Sequence, residues 1–499
     1  MRKRHRCGIL FLWVLGILCF SSIASGIDLK KKIIRTKLKN GITVLMLERH
    51  VSPTVSLYIR HRIGAFDEAK GESGAAHLLE HMMFKGTKTI GAKNYAAEKR
   101  MLDAVERTGD ALDRERKKGP EADDNILRDL TAQLKKLQEE TKQYYIPNEI
   151  DRLYTGNGGL DMNASTGHDL TTYKISLPAN YIELWARIEA DRMQNPVFRD
   201  FYTERDVVME ERRQRVESSP TGKFHEQFMK TAYQVHPYGR PVLGWPDDLM
   251  RLSPAVIRNF FQKYQDRRKT VIAVVGAIKP RETLKLLEKY FGCLPSRNEA
   301  PKVDPVEPVQ MEERRVEVFF KASPMMMIGF HKPAAPAYHD YVFDVLETML
   351  TRGRTSRLYS LMVTKMQIAE SVGAVNGAPA MMHPNLFTIS ARPRHPHTNA
   401  ELEETILKEI EKIKTQPISD LEIAKAKNLL KMEFLRGFDS DQKIASNISY
   451  YECIMGDYRY IFNYLNIIDI VSAEAIKEAA QIYLTKENRI VGVLTEKKD

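Results

Sequence analysis

Three residues of one short segment, His77, Glu80 and His81, have the types and the spacing of a hydrolytic metal site. On a helix, the two histidines would lie one turn apart, with about 5–6 Å between their Cβ atoms, so both imidazoles could reach one ion. Glu80 would lie beside them, where a carboxylate can take a proton from a metal-bound water and later pass it to a leaving amine. Zinc lowers the pKa of such a water from 15.7 to about 7. The segment therefore predicts metal-assisted hydrolysis of an amide bond.

A third ligand is expected, because catalytic zinc commonly takes three protein side chains. Glu204 and Glu211 are seven residues apart in the sequence. That separation is two helical turns, so both carboxylates would share one face of a helix. One of them could bind the metal while the other supports it. Glu210 is expected on a solvated face of the same helix.

The first elements that must position these residues are predicted from their hydrophobic patterns. Residues 41–47 and 54–60 alternate as strands and are joined by a polar turn with Pro53, which predicts a hairpin. A helical pattern starts at Gly74 and contains the two histidines. Strand patterns return at residues 162–165 and 171–175, followed by helices that contain the two glutamates.

A highly charged tract runs from Asn94 to about Tyr145 and is broken at Lys118-Gly119-Pro120. Both arms have helical composition with sparse apolar positions, which predicts an exposed antiparallel helical hairpin, inserted at about residues 94–148. A solvated insert and an arm that docks on a partner both fit this pattern.

The order of elements predicts an α+β fold of two similar halves, each an antiparallel sheet covered by helices. Residues 270–276 form a buried-strand pattern, and residues 489–494 repeat it at the end of the chain. Four prolines among charges place a linker at 294–313. The first domain is then 27–293, with the helical insertion. The second is 314–499, which starts with a strand pair within residues 316–330 and has no metal site.

The N-terminal segment and the composition limit which class of protein this chain can be. An apolar run at residues 9–20 follows a basic start and precedes small residues, which predicts a signal peptide over residues 1–26 and an exported, periplasmic or extracellular protein. An uncleaved membrane anchor is the alternative. Without the four early basic residues, the formal charge falls from +11 to +7, so nucleic acid is not an expected partner. Cys293 and Cys453 could form at most one optional disulfide.

The segment at residues 77–81, followed by Met82-Met83-Phe84-Lys85-Gly86-Thr87, resembles the inverted zinc motif of the pitrilysin and insulin-degrading enzyme family, in its mitochondrial-processing-peptidase-like branch. The resemblance covers about residues 35–495. Supporting motifs are Gly64-Ala65-Phe66-Asp67-Glu68, Asn163-Ala164, Asp169-Leu170-Thr171-Thr172-Tyr173, the segment 204–211, His236-Pro237-Tyr238-Gly239 and Ser356-Arg357-Leu358-Tyr359.

This resemblance implies a role for each site residue and one Zn²⁺ per chain. His77, His81 and Glu211 would bind zinc, Glu80 would be the catalytic base, and Glu204 would be the supporting carboxylate of the catalytic site. The family also holds peptide substrates as an added strand near an Asn-Ala pair, here Asn163 and Ala164. An ordinary half-buried strand is the other interpretation of that pair. The charged tract accounts for the unusually long separation of His81 from Glu211.

The chain departs from the resembled family in its second half. Active single-chain members carry an Arg and a Tyr there, and the corresponding positions hold Val363 and Glu370. Neither can stabilise a developing oxyanion. The resemblance therefore implies the catalytic subunit of a heterodimer whose partner lacks the zinc motif but supplies the Arg and Tyr. The expected function is an exported zinc endopeptidase for extended or unfolded peptides. A catalytically silent assembly subunit, related to respiratory-complex core proteins, and a peptide-holding chaperone are the alternatives.

Overall fold

A computed structural model of the chain describes residues 29–297 and 304–496. The protein has the predicted α+β architecture, with two sheets covered by helices. Six strands form the first sheet, in the spatial order β1-β2-β6-β3-β5-β4. The strands are β1 (Ile34–Lys37), β2 (Thr43–Glu48), β3 (Thr54–His61), β4 (Leu160–Thr166), β5 (Thr171–Pro178) and β6 (Thr270–Gly276).

The helices of the first half cover this sheet and include the segments predicted to hold the site. They are α1 (Ala75–Met82), α2 (Tyr95–Arg116), α3 (Asp124–Thr141), α4 (Glu149–Thr155), α5 (Ile182–Gln194), α6 (Phe201–Arg212), α7 (Pro220–Ala232), α8 (Pro246–Arg251), α9 (Pro254–Phe261) and α10 (Pro280–Tyr290). A π-helical turn, Arg213–Glu217, extends α6.

Five strands form the second sheet, in the order β7-β11-β8-β10-β9. Its strands are β7 (Arg314–Phe319), β8 (Met325–Lys332), β9 (Ala369–Ala378), β10 (Asn385–Pro393) and β11 (Arg489–Thr495). Its helices are α11 (Tyr338–Thr351), α12 (Asn399–Thr415), α13 (Asp420–Arg436), α14 (Asp441–Met455), α15 (Tyr460–Ile470) and α16 (Ala473–Tyr483).

Strand order corrects three details of the sequence-based prediction. Strand β6 lies between β2 and β3, and β11 lies between β7 and β8, so neither the predicted hairpin nor the predicted strand pair forms. The sheets are not purely antiparallel, because β2 runs parallel to β6 and β7 parallel to β11. The physical reason is that β6 is buried along its whole length, and a fully buried apolar strand is best satisfied between two neighbours.

Each sheet is also covered by a helix from the other half. Helix α14 packs on β3 and β6, and its Ile444 and Ile448 join a core with Leu45 and Val271. Helix α7 packs in turn on β7 and β11. Burial of apolar area at both contacts opposes separation of the halves.

Helices α2 and α3 form the predicted helical hairpin, but it is less exposed than its composition suggests. Val105, Leu112 and Leu134 are buried in the core of the first half. Glu98 in the first turn of α2 is completely buried. Most other charged residues lie on the outer side of the hairpin, because an amphipathic helix can bury one narrow stripe under a mostly polar surface.

Several predictions concern residues outside the described ranges. The predicted signal peptide falls there entirely, and the linker falls there at residues 298–303.

Cys293 is an exposed free thiol and Cys453 a buried one, so the two do not form a disulfide. Among the described helices, none combines the length and the apolarity that crossing a membrane requires.

Candidate metal centre

Helix α1 carries His77, Glu80 and His81, and two features define its start. Gly74 has φ +91°, and a side chain there would collide with Leu249, so the sharp entry into the helix requires glycine. The buried Glu68 carboxylate accepts hydrogen bonds from the backbone N–H groups of Gly74 and Ala76, at 3.1 and 2.9 Å. A carboxylate at this end of a helix also interacts favourably with its dipole.

The structure brings His77, His81 and Glu211 together. Glu211 Oε2 lies 3.7 Å from His77 Nε2 and 3.5 Å from His81 Nε2. Across residues 29–297 and 304–496, this is the single group of three or more His, Cys, Asp or Glu side chains whose ligand atoms all lie within 4.8 Å of one another. Glu211 reaches the histidines because α6 packs against α1.

The geometry of this group fits a zinc ion. Bonds of 2.0–2.1 Å in a tetrahedron separate two ligand atoms by about 3.3 Å, which is close to the separations between Glu211 and the histidines. Two imidazoles and one carboxylate are also a donor set of catalytic zinc sites, which leave the fourth position open. Burial lowers the pKa of His77 to about 3, so its imidazole is neutral and its lone pair is free to bind a cation.

Glu204 supports His81 from the side away from Glu211. Its Oε2 lies 3.3 Å from His81 Nδ1, and its Oε1 forms an ion pair with Lys85. Burial opposes ionisation of Glu204, but the hydrogen bonds with His81 and Lys85 outweigh it and lower the pKa of the carboxyl. An anion at this position fixes the ring orientation of a metal-ligating histidine.

Glu80 lies next to the histidines and is held by strand β4. The Thr166 hydroxyl donates a hydrogen bond of 2.6 Å to Glu80 Oε2. Burial raises the pKa of Glu80, although the bond from Thr166 works in the opposite direction. The second carboxylate oxygen takes no part in that bond.

Asn163 and Ala164 lie on β4, an edge strand of the sheet, which within residues 29–297 and 304–496 pairs only with β5. Asn163 is exposed and Ala164 half-buried. The Ala164 N–H donates a hydrogen bond of 2.9 Å to the side chain of Asn163. Because β4 is at an edge of the sheet, its outer side can offer backbone groups to an added strand, next to the helix that carries the histidines.

Comparison with known sequences then shows the family. The family model described as "Insulinase (Peptidase family M16)" matches residues 43–107 and 137–245, and the model described as "Peptidase M16 inactive domain" matches residues 251–430. The chain belongs to the M16 peptidase family. Residues 108–136, in the outer part of the helical hairpin, are not matched by these models.

M16 relatives match over most of the chain. The zinc protease PqqE of Helicobacter pylori is 26% identical over 447 residues, covering 87% of each chain. The crystal structure of a protease from Helicobacter pylori has a TM-score of 0.77 at 23% identity and covers 93% of this chain and 99% of that one. The periplasmic protease PqqL from Escherichia coli has a TM-score of 0.69 at 16% identity, and the match covers 93% of this chain but 48% of PqqL.

The remaining predicted positions lie away from the cluster of this M16 chain. Glu210 is exposed and pairs with Arg213 and Gln214, so it faces solvent. Val363 lies half-buried against the core of the second half, in a π-helical turn. Glu370 is exposed at the start of β9.

Sequence reasoning assigned no role to Lys85, Thr166 or Glu68. Lys85 follows His81 by four residues, a spacing that could have marked it as a neighbour on the same face. Thr166 had no such signal, because its bond to Glu80 spans 86 positions. Glu68 lies seven positions before the first residue of the helix, and only the fold of the intervening loop brings its carboxylate to the helix start.

Proposed function

We propose that this M16 chain is a zinc-dependent endopeptidase that cleaves extended or unfolded peptides. The convergence of His77, His81 and Glu211 beside Glu80 carries the proposal. The zinc protease name of the PqqE relative supports it. In this proposal one zinc ion is held per chain.

Each residue near the cluster has a distinct task. A zinc ion held there would supply a Lewis acid for the substrate carbonyl and would lower the pKa of a coordinated water. Glu80 accepts the proton of the attacking water and later donates it to the leaving amine. Glu204 holds His81 in orientation. Asn163 and Ala164 on β4 would bind the peptide backbone as an added strand, which makes recognition weakly dependent on side chains.

We further propose that the protein is exported and is the catalytic subunit of a heterodimer. The apolar N-terminal run supports export, as does the periplasmic location named for PqqL. Two observations support a partner: this chain corresponds to about half of PqqL, and Val363 and Glu370 offer no donor suited to an oxyanion. The partner would be a family member that lacks the zinc motif and supplies an Arg and a Tyr.

The Glu80→Gln variant tests the proposed chemistry. The amide keeps the size of the side chain but cannot take a proton, so we expect unchanged zinc content and a loss of peptidase activity of about 10²–10⁴-fold. Zinc is measured by elemental analysis and activity with a flexible fluorogenic peptide. Glu210→Gln is the matched control and should leave both values unchanged.

Two outcomes would contradict the proposal. Comparable turnover by Glu80→Gln and wild type, with contaminating protease excluded, would remove the base assignment. A wild-type protein that holds zinc and binds peptide without releasing new amino termini, even in its native complex, would instead be a silent subunit or a peptide holder.

A further inference from the structure

Helix α6 contacts two different structures on its two sides. Glu204 and Glu211 face α1 and the histidines. On the other side, the Arg205 guanidinium donates two hydrogen bonds to Asp113 of α2, at 2.7 and 3.0 Å. A planar guanidinium and a carboxylate in this arrangement form a strong and directional pair. Arg205 is 3% exposed and Asp113 is half-buried, so the guanidinium side of the pair is shielded from water.

The hairpin contacts the neighbours of Arg205 as well. The ring of Tyr202 packs directly on the backbone of α2 at Gly109, where a Cβ atom would lie 2.0 Å from Tyr202 Cζ. From α3, the Gln138 side chain donates to Thr203 Oγ at 3.0 Å. Residues 202, 203 and 205 thus all contact the hairpin, while Glu204 between them points to His81. Arg205 also donates to the backbone carbonyls of Met250 and Leu252, at 3.2 and 2.9 Å.

The base of the hairpin also holds the loop that follows α1. Glu98 of α2 forms a fully buried ion pair with Arg199. Arg199 donates to the backbone carbonyls of Lys85 and Thr87, both at 2.8 Å. Lys85 in turn pairs with Glu204. The hairpin is therefore connected to Glu204 in two ways. It contacts α6, the helix that carries Glu204, and through Arg199 it contacts the loop that carries Lys85, the ion-pair partner of Glu204.

We propose that the helical hairpin α2–α3 is a brace for the metal centre and that Asp113 is a positioning residue within it. The brace holds α6 in the register that brings Glu204 and Glu211 to the histidines. The effect on zinc release that we expect from it rests on the proposed zinc function. Gly109 and Asp113 lie in residues 108–136, outside the match to the M16 family models. The proposal therefore gives a structural role to residues 108–136, the part of the insertion that the family models do not match.

The Asp113→Asn variant tests the brace with two measurements on the full chain. An asparagine cannot keep the charged two-bond pair, so α6 should loosen. Changing a partner bonded directly to a metal ligand typically costs 10–100-fold in affinity. Asp113 acts one contact further out, so we expect a smaller effect, roughly threefold to tenfold faster zinc release to a chromogenic chelator. In the zinc-free protein, amide hydrogen exchange should accelerate in α6, at residues 201–212, and stay unchanged in the second half.

Asp103→Asn is the matched control on the same helix. It removes an exposed pair between Asp103 and Lys99, so neither zinc release nor exchange in α6 should change. If folded Asp113→Asn behaves like this control, the brace is wrong. If circular dichroism shows that Asp113→Asn does not fold, Gln138→Ala tests the brace instead. We expect faster zinc release and faster α6 exchange in that variant, both smaller than for Asp113→Asn. Unchanged zinc release and unchanged exchange in Gln138→Ala would overturn the proposal.

The exchange measurement also separates the two proposals. It requires neither zinc nor activity, so it judges the brace even if the wild-type chain proves unable to cleave peptides. If the wild-type chain does not cleave peptides but α6 exchanges faster in Asp113→Asn than in wild type, the proposed function is wrong and the brace is supported.

Discussion

At the scale of residues, the two histidines have unequal support. His81 has Glu204 on its Nδ1, whereas His77 Nδ1 is buried without a hydrogen-bond partner among the described residues. An outer partner fixes a ring and raises its basicity. Glu211 approaches both rings, with its Oε2 at 3.7 and 3.5 Å from the two Nε2 atoms.

The prediction at this scale concerns the register of α6. Glu211→Gln should weaken zinc binding by more than the 10–100-fold typical of an outer partner, because an amide oxygen carries no charge. Glu210→Gln should bind zinc as wild type does, since its carboxylate pairs with Arg213 in solvent. Zinc titration with a competing chelator measures both. Exchanged results for the two variants would show that the helix register is wrong by one residue.

At the scale of elements, α11 takes the place in the second half that α1 takes in the first. Helix α1 follows β3, which lies beside β6, and helix α11 follows β8, which lies beside β11. Instead of a histidine pair, α11 carries Asp340, Asp344 and Glu347. Burial, together with the nearby Asp340, raises the pKa of Asp344 to about 7. Asn376 of β9 donates to Asp344, and Lys332 of β8 pairs with Asp340.

This pKa predicts a pH dependence of stability. The folded protein holds the Asp344 proton more tightly than the unfolded chain, so the contribution is complete below about pH 4 and is lost as pH rises through about 7. Asp344→Asn removes the titration. Its free energy of unfolding relative to wild type should therefore increase between pH 5 and pH 8, by roughly 2 kcal/mol. Urea unfolding at the two pH values measures this, and an identical difference at both would contradict it.

At the scale of the whole molecule, the halves are joined by exchanged helices and by polar bonds. Helices α7 and α14 each cover the sheet of the opposite half. Asp169 of the first half accepts hydrogen bonds of 2.9 Å from the backbone N–H groups of Met381 and Met382 in the second. These contacts oppose separation of the two halves.

The prediction at this scale is that the chain alone is a slow peptidase. Loss of one oxyanion donor typically costs about 10²–10³ in turnover, so a partner that supplies an Arg and a Tyr should raise the rate by at least that factor. Zinc content should not change. Co-purification from the native source, read by mass spectrometry, identifies the partner, and peptide cleavage with and without it gives the rates. Full-speed cleavage by the isolated chain would contradict the heterodimer.

The sequence by itself determined the features that depend on local geometry. Helical spacing brings His77 and His81 onto one face and separates Glu211 from Glu210, and neither result needs knowledge of the rest of the chain. The same holds for the two similar halves, because the buried strands β6 and β11 are continuous apolar runs that each end a similar series of elements.

Only the tertiary structure decided which distant segments meet. Strand β6 inserts between β2 and β3 although it follows them by some 200 residues, because pairing on both sides satisfies its backbone. Thr166 reaches Glu80, and Asp113 reaches Arg205, through packing that no periodicity in the sequence records. Local spacing is set by the backbone geometry of a single helix, whereas such contacts depend on the balance of burial and hydrogen bonding over the whole fold.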